Sequence, residues 1–296
     1  MISSFKIGDI KVTSILEYFG PTHDPAFLYP KFDRAVIEQE KSWLVPHHYH
    51  PQMDRLLIAI QIWVVHAGDR VIIVDTGVGN RKNRSAERMH QLNTLFLHWL
   101  NAAGAPREKV TDVVITHMHS DHLGWNTMLV DGRWEPTFPN ARYVFPEIDF
   151  QHFTASRERG TDLSDGALAD SVAPIFEAGL GYFIPSQPTL LDLFRVVPAP
   201  GHTPGMLNLW VESGGQTGVF SADIMHHPLQ IVRPDWNTAF CQLPDAALET
   251  RAAFLAEASR TNAFVMPCHF GAPHAGFIRR QGDGYRFEPT AETTIL

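Results

Sequence analysis

A dense group of histidines directly follows an apolar run near the middle of the chain. The stretch "TDVVITHMHSDHLGW" (111–125) places His117, His119, Asp121 and His122 within six positions, right after a predicted buried strand. In an extended chain, side chains two residues apart point to the same side, so His117 and His119 can bind one ion. Side chains also converge on pockets where strands end. The pattern therefore favours a metal site at one edge of a β-sheet.

Three other predicted strand ends carry residues of the same kind. His202 lies in the turn "PAPGHTPG", "GVFSAD" ends at Asp223, and His269 follows the strand in "FVMPCHFG". Imidazole and carboxylate groups suit zinc, iron, manganese or cobalt, and a donor set without thiolates favours a catalytic site over a structural zinc site. The alternative is a set of hydrogen-bonded core residues, which would require four strand ends to agree by chance.

The order of predicted elements indicates an α/β fold. Two hairpins open the chain, turning at Gly8-Asp9 and at 67–69, and an amphipathic helix is predicted over 85–101. Further strands are predicted at 112–116, 142–145, 194–197, 206–211, 217–222 and 263–266, and helices within 147–180 and over 245–260. Strands and helices do not alternate strictly, so we expect a sandwich of mixed sheets with helices outside rather than a doubly wound sheet.

Composition and charge limit the partners and the domain organisation. No linker divides the 296 residues, so a single domain over 1–296 is predicted, with lids or oligomer contacts at 20–55 and 147–192. The formal net charge of −8 disfavours a nucleic-acid partner, and no apolar run approaches the ~20 residues of a membrane span. The start of the chain lacks the pattern of a secretory signal, so a cytoplasmic protein is expected.

The whole arrangement resembles the metallo-β-lactamase superfamily. The H-x-H-x-D-H signature at 117–122, followed by His202, Asp223 and His269 at increasing distance, carries the resemblance over nearly the whole chain. The resemblance implies a four-layer αββα sandwich that holds two divalent metal ions. We expect zinc, with iron, manganese and cobalt as alternatives, because imidazole and carboxylate do not discriminate strongly among these metals.

The resemblance also implies a role for each donor residue. One metal ion would be held by His117, His119 and His202, the other by Asp121, His122 and His269, with Asp223 between the two. Asp75 in "VDTG" matches an aspartate that supports a metal-binding histidine from behind, as such sites require. Cys268 adjoins His269 but is expected to point away from it, and is not predicted as a ligand.

Within the superfamily, the chain is most similar to the branch of methyl parathion hydrolase and the acyl-homoserine lactonases. True β-lactamases have Cys or Ser at the position of Asp223, so antibiotic hydrolysis is not expected. His226 lies three residues beyond Asp223, as in the organophosphate hydrolase, whereas the lactonases usually have a tyrosine there. The tail "PCHFGAPHAGFIRRQGDGYRFEP" also resembles that hydrolase. Dimers are frequent in the family, so a homodimer is a further expectation.

These features predict a hydrolase that cleaves a small-molecule lactone or carboxylic ester with water activated between two metal ions. Asp121 is the predicted proton acceptor, and His226 is predicted to donate a hydrogen bond to the substrate or leaving group. A packed, non-catalytic His226 is equally favoured. The alternatives are phosphotriester hydrolysis, iron-dependent redox chemistry and a non-catalytic binding protein on the same fold.

Aromatic residues and further histidines near the motifs have weaker interpretations. Two roles are equally favoured for four aromatic residues, as walls of an apolar pocket or as ordinary core residues: Trp125, Trp236, Phe240 and Phe270. A polar loop rather than another metal site is predicted for His47, His48 and His50. Surface or core positions are predicted for His23, His66, His90, His98, His152, His227 and His274.

Overall fold

The computed structural model describes residues 2–184, 189–290 and 294–295. Its strands are β1 Ile2–Ile7, β2 Ile10–His23, β3 Tyr49–His50, β4 Arg55–Ala67, β5 Arg70–Val74, β6 Asp112–Val114, β7 Thr127–Val130, β8 Arg133–Pro136, β9 Arg142–Phe145, β10 Gly181–Phe183, β11 Thr189–Leu190, β12 Phe194–Pro198, β13 Leu207–Ser213, β14 Gln216–Phe220, β15 Phe264–Met266, β16 Gly276–Gln281, β17 Gly284–Pro289 and β18 Thr294–Ile295. Its α-helices are α1 Pro25–Leu28, α2 Arg34–Leu44, α3 Phe96–Ala102, α4 Ser120–Leu123, α5 Glu147–Glu158, α6 Ala173–Glu177, α7 Leu229–Val232 and α8 Pro244–Arg260.

Two large sheets mix parallel and antiparallel pairs. The first has the strand order β10-β9-β6-β5-β4-β2-β1-β18, with β3 beside β4, and its β5, β6, β9 and β10 run parallel to one another. The second has the order β11-β12-β13-β14-β15-β16-β17, in which β14 and β15 form a parallel pair. Parallel neighbours need long crossovers, and those crossovers supply the helices that cover the sheets.

The apolar residues form three stacked cores between these layers. Trp63 of β4 packs against Phe220 of β14 between the two sheets. Helices α3 and α5 contribute Phe96 and Phe153 to the core on the outer face of the first sheet, and α8 contributes Phe254 to the core on the outer face of the second. Helices therefore cover both outer faces, and the predicted αββα sandwich with mixed sheets is confirmed.

Most predicted strands are confirmed, but the helix predicted over 85–101 is wrong. Only a short 3₁₀ turn at Glu87–Met89 and α3 from Phe96 onward are helical there. Gln91 has φ +52°, and its backbone N–H donates to the carbonyl of Lys82 at 2.8 Å. Asn80 accepts from the backbone N–H of Thr94 at 2.7 Å. These contacts fold the segment back on residues 80–83, where the sequence pattern predicts a continuous helix.

The two irregular segments each contain two α-helices. The first, 20–55, contains α1 and α2, whose apolar residues pack on Leu229 and Trp236. The second, 147–192, contains α5, α6 and a π-helical turn at Leu168–Val172, while 185–188 lies outside the described residues. Their roles as lids or oligomer contacts stay predictions, as does the single domain over 1–296. Among the described residues, no helix is both long and apolar enough to cross a membrane.

Candidate metal centre

Four segments that follow strands bring the predicted donor residues together at one edge of the sandwich. His117 and His119 follow β6, and Asp121 and His122 lie on the short α4. The other donors come from the second sheet, with His202 between β12 and β13, Asp223 after β14 and His269 after β15. All of these side chains except His119 and Asp121 are buried. The structure thus assembles the seven residues that the sequence predicts.

The Asp223 carboxylate lies at the middle of the cluster. Its Oδ2 atom faces one ring nitrogen from each of five histidines, at 3.0 Å from His269, 3.3 Å from His202 and from His226, 3.4 Å from His122 and 3.6 Å from His117. Its Oδ1 atom is buried and has no hydrogen-bond partner in the part of the chain that the structure describes. A single carboxylate therefore joins donors that come from both sheets.

The donors divide into two groups, each compact enough to hold one cation. His117, His119, His202 and Asp223 have donor atoms within 4.8 Å of one another, and so do Asp121, His122 and His269. Buried polar atoms in proteins are nearly always hydrogen-bonded, yet Nε2 of His117 and Nε2 of His122 have no such partner among the described residues. Unsatisfied imidazole lone pairs beside a carboxylate are the donors that divalent metals accept, so the residues fit a pair of ions.

The electrostatics of the cluster differ between its two ends. Burial lowers the pKa of His117 well below its ordinary value, and the neighbouring His122 adds to this effect. Burial also lowers the pKa of His119, to about 4. Burial also opposes protonation of His122, but the nearby Asp223 and Asp75 outweigh it and raise the pKa of His122 well above its ordinary value. The Asp223 carboxylate stays ionised because its histidine neighbours outweigh its burial and lower its pKa. The carboxylates therefore draw positive charge to this site.

A family model confirms the affiliation that the signature predicts. The model for the metallo-beta-lactamase superfamily matches residues 57–269, more than half of the chain. The chain belongs to the metallo-β-lactamase superfamily. No curated protein matches it in sequence. Family and donor set together support the prediction of a metal-dependent hydrolase.

Solved structures of several hydrolases share the fold. AidC, described as a dizinc quorum-quenching lactonase in complex with its product, is 23% identical, with a TM-score of 0.75 over 98% of both chains. The hydrolase AbOPH is 20% identical, with a TM-score of 0.79 over 98% of both chains. A quorum-quenching N-acyl homoserine lactone lactonase is 14% identical, with a TM-score of 0.57 over 90% of this chain and 93% of its own. At these identities the likeness establishes the fold, and the predicted resemblance to lactonases is confirmed at that level.

Asp75 supports His122 from behind, as the resemblance implies. Its Oδ2 lies 2.9 Å from Nδ1 of His122 and also accepts from the Thr116 hydroxyl at 2.8 Å, while Oδ1 accepts from the Thr116 backbone N–H at 2.8 Å. With Nδ1 engaged in this way, Nε2 of His122 points towards Asp223 and Asp121. The φ of Asp75 is +55°, a left-handed conformation that Asp tolerates better than most residues.

Asp149 is a structural carboxylate that sequence reasoning missed. It is buried at the start of α5 and accepts hydrogen bonds from the Met118 N–H at 3.2 Å, the Thr203 hydroxyl at 2.7 Å and the Gly205 N–H at 2.5 Å. It therefore joins the loop that carries His117 and His119 to the loop that carries His202. An acidic residue in the first turn of a predicted helix was the available signal, but such residues usually face solvent.

Glu17 joins the loop after β5 to Trp125 and was also missed. It accepts from the backbone N–H groups of Val78 at 2.6 Å and Gly79 at 3.1 Å, and from Nε1 of Trp125 at 2.6 Å. Burial raises the pKa of Glu17 to about 7. Gly77 has φ +59°, and a Cβ there would lie 2.2 Å from the Glu17 carboxylate, so the close approach requires glycine.

A cavity of about 310 Å³ opens above the donor cluster. Asp121 and His226 both line it, next to His119, His202, Asp223 and His269. Its walls are largely apolar and include Leu28, Ile58, Ile60, Met89, Leu163 and Phe240. Both irregular segments contribute, since Leu28 belongs to the first and Leu163 to the second. The cavity therefore combines a polar floor with walls that suit an acyl or aryl group.

The structure separates the aromatic residues that line the cavity from those that pack in the core. Phe240 lines the cavity, whereas Trp125, Trp236 and Phe270 are buried against Phe96, Tyr29 and Phe287 as core residues. The Cys268 thiol donates to Asp75 at 3.6 Å, and burial raises its pKa, which disfavours the thiolate that a metal would require.

Two histidines outside the predicted donor set have unexpected positions. His23, assigned to ordinary surface or core, lines the cavity instead. His48, assigned to a polar loop, is buried, with its ring centroid 5.8 Å from that of His227.

Proposed function

We propose that the protein is a dinuclear metal-dependent hydrolase that cleaves lactones or carboxylic esters. The observation that carries the proposal is the Asp223 carboxylate, which faces five histidines at the floor of a largely apolar cavity. The family supports a hydrolase, and lactonases are among the proteins that share its fold. Zinc is the proposed metal, since the donor set is imidazole and carboxylate and AidC is described as dizinc.

The two compact donor groups support the assignment of ligands to two ions. In this proposal one ion is held by His117, His119 and His202, the other by Asp121, His122 and His269, and Asp223 is shared by both. When bound, the two ions would supply Lewis-acid polarisation of the substrate oxygen and activation of water at neutral pH.

Asp121 is the proposed proton carrier. Its side chain is 22% exposed and lines the cavity, so it can meet both the attacking water and the leaving oxygen. Although burial works in the opposite direction, the neighbouring His122 and His269 lower its pKa, so it is ionised and able to accept a proton. The reaction adds one water, breaks the acyl C–O bond and returns the proton to the alcohol oxygen.

His226 is the proposed hydrogen-bond donor to the substrate. Its ring stacks on that of His269 with centroids 5.3 Å apart, and Nδ1 is buried without a hydrogen-bond partner. The backbone N–H of His226 donates to Gln230 at 2.8 Å, which fixes the loop. Because this histidine also resembles that of the organophosphate hydrolase, phosphotriester hydrolysis is the second candidate function.

The deciding experiment compares kcat/KM of the zinc-loaded protein on an acyl lactone, an aryl ester and an aryl phosphotriester. We expect a carbonyl substrate to exceed the phosphotriester by orders of magnitude. A leading phosphotriester would replace the first proposal with the second. Activity that needs iron and an oxidant, with none on zinc, would contradict both.

A matched pair of histidine variants tests the metal assignment in the same assay. His119→Ala removes a proposed ligand, so bound zinc, measured by elemental analysis, and hydrolysis should fall together. His98→Ala removes an exposed histidine of α3 and should change neither quantity. Full activity in His119→Ala would contradict the proposed site.

A further inference from the structure

Arg88 is a cation in the wall of the cavity above the donor cluster, and no carboxylate of the described residues neutralises it. It lies in the 3₁₀ turn Glu87–Met89 and is half-buried. Among the described residues its recorded hydrogen bond is to Nε2 of His23, at 3.1 Å from Nη2, and it forms no ion pair. A guanidinium has five N–H donors, so most of them remain available.

His23 acts as a neutral support for this guanidinium. Burial, followed by the positive charge of Arg88, lowers the pKa of His23 to about 3, so its ring is neutral at neutral pH. Nε2 can then accept from Arg88 while Nδ1–H donates to the Thr22 hydroxyl at 2.8 Å. The ring also packs against Phe27 and Phe240, with centroids at 5.8 and 5.4 Å. Arg88 is therefore oriented without losing its charge.

The charges elsewhere in the cavity leave this cation available to a ligand. Asp121 and Asp223 belong to the proposed metal centre, and Asp165 accepts from the Ser85 backbone N–H at 2.9 and 3.0 Å. Arg88 shares the 310 Å³ cavity with all three but pairs with none of them. A charge in a partly enclosed cavity is screened less than one on an open surface, so its attraction for an anion is stronger there.

We propose that Arg88, oriented by His23, forms a subsite that binds a carboxylate on the acyl part of the substrate. The inference rests on the proposed function and narrows its substrates to lactones or esters whose acyl chain ends in a carboxylate. Guanidinium groups match carboxylates in geometry and can donate two parallel hydrogen bonds. Hydrolysis of such an ester consumes one water, breaks the acyl C–O bond and yields a dicarboxylate, an alcohol and one released proton.

The first test measures substrate selectivity. The zinc-loaded protein is assayed on aryl hemiesters of glutarate and adipate and on aryl esters of pentanoate and hexanoate, which lack the second carboxylate. We expect the hemiesters to have the higher kcat/KM, and Arg88→Met to lower the hemiester-to-ester ratio by about 10-fold or more, as expected for a hydrogen bond to a charged group. Arg133→Met, which removes an exposed cation outside the cavity, should leave the ratio unchanged.

Two further variants test the neighbours of Arg88. His23→Phe keeps a ring against Phe27 and Phe240 but removes the hydrogen-bond acceptor, so the ratio should fall, by less than in Arg88→Met. Asp165→Asn removes the nearby negative charge and should raise the ratio. Equal selectivity in wild type and Arg88→Met would overturn the subsite, while hydrolysis of the neutral esters would leave the proposed function intact.

A binding measurement keeps the test independent of turnover. Calorimetry on the zinc-loaded protein compares glutarate and adipate with pentanoate and hexanoate. The dicarboxylates should bind more tightly to wild type, and Arg88→Met should abolish that difference. If no ester is hydrolysed but the difference is present, the proposed function fails and the carboxylate subsite stands. If mono- and dicarboxylates bind equally, the subsite is overturned.

Discussion

Two groups of buried histidines in this molecule differ in what faces their ring nitrogens. In the metal centre, five histidines face the Asp223 carboxylate at 3.0–3.6 Å. The other group, the His48 cluster, consists of His48, His227 and His274. There, Nε2 of His227 lies 2.7 Å from the carbonyl of His48, and Nδ1 of His274 lies 2.8 Å from the carbonyl of Phe270.

The absence of carboxylates explains why the second group behaves differently. Burial lowers the pKa of His48 to about 2 and that of His227 to about 4. Among the described residues, no carboxylate counteracts this effect at either histidine. In the metal centre, carboxylates raise the pKa of His122 and His269 despite burial. Among the described residues, the His48 cluster is also not one of the groups that could hold a metal ion. Histidines therefore need an anionic donor beside them before the site favours a cation.

The largest expected effect comes from removing the charge that distinguishes the two clusters. Asp223→Asn should abolish stoichiometric zinc binding and lower kcat/KM roughly 1000-fold, since metal catalysis supplies several kcal/mol of transition-state stabilisation. Zinc content and steady-state kinetics check this. Asp235→Asn, at an exposed aspartate nearby in sequence, is the control. Normal zinc content in Asp223→Asn would show that the histidines bind zinc without this carboxylate, and the carboxylate would then not distinguish the two histidine groups.

A smaller effect is expected from the carboxylate behind the centre. Asp75→Asn weakens the hydrogen bond that orients His122, so zinc affinity should fall by about 10- to 100-fold. Competition with a chelator measures the affinity. Asp131→Asn is a matched control, because Asp131 is exposed and also has a positive φ, of 47°. Unchanged affinity in Asp75→Asn would mean that packing alone orients His122.

The smallest effect is expected in the His48 cluster and concerns acid stability. The folded-state pKa of His48 is about 2, well below the ~6.5 of an unfolded chain, so the unfolded state takes up a proton first. The contribution of the neutral His48 ring to the free energy of unfolding is thus fully present above about pH 6.5, and it is lost as the pH falls towards the folded-state pKa. When the pH falls from about 7 to about 5, the free energy of unfolding of wild type should therefore decrease by up to about 2 kcal/mol more than that of His48→Gln.

Urea unfolding of the zinc-loaded proteins at both pH values measures this difference. His98→Gln, at an exposed histidine, is the control and should follow wild type. The same pH dependence in His48→Gln and wild type would show that the buried ring does not oppose protonation, and would erase the electrostatic contrast between the two clusters.

Local patterns predicted the parts of the fold that depend on short-range chemistry. Alternating and continuous apolar runs identified β4, β5, β13 and β14, and Gly8 marked the first hairpin. The segment 85–101 was misread because apolar residues at helical spacing serve other purposes there. Met89 lines the cavity and Leu95 is 65% exposed, and contacts with residues 80–83 outweigh helix propensity.

The convergence of the proposed metal donors was predictable because each follows a strand, and strand ends gather at a sheet edge. Their supports were not predictable in the same way. Asp149 joins the loop that carries His119 to the loop that carries His202, and these two histidines are 83 residues apart in the chain. Glu17 reaches the site from β2. Nothing in the local sequence distinguishes these carboxylates from the exposed ones.

By itself, the sequence determined the strands and the histidines and aspartates that meet at the edge of the sandwich, because these follow from spacing and periodicity along the chain. The family and its four-layer fold were predicted from the resemblance that the H-x-H-x-D-H signature carries. Only the tertiary structure decided that Arg88 and His23 share the cavity with the metal centre and that His48 lies in a second buried cluster. Burial and the charge of distant residues set the protonation and the partners of these side chains, and neither is encoded within a local stretch of residues.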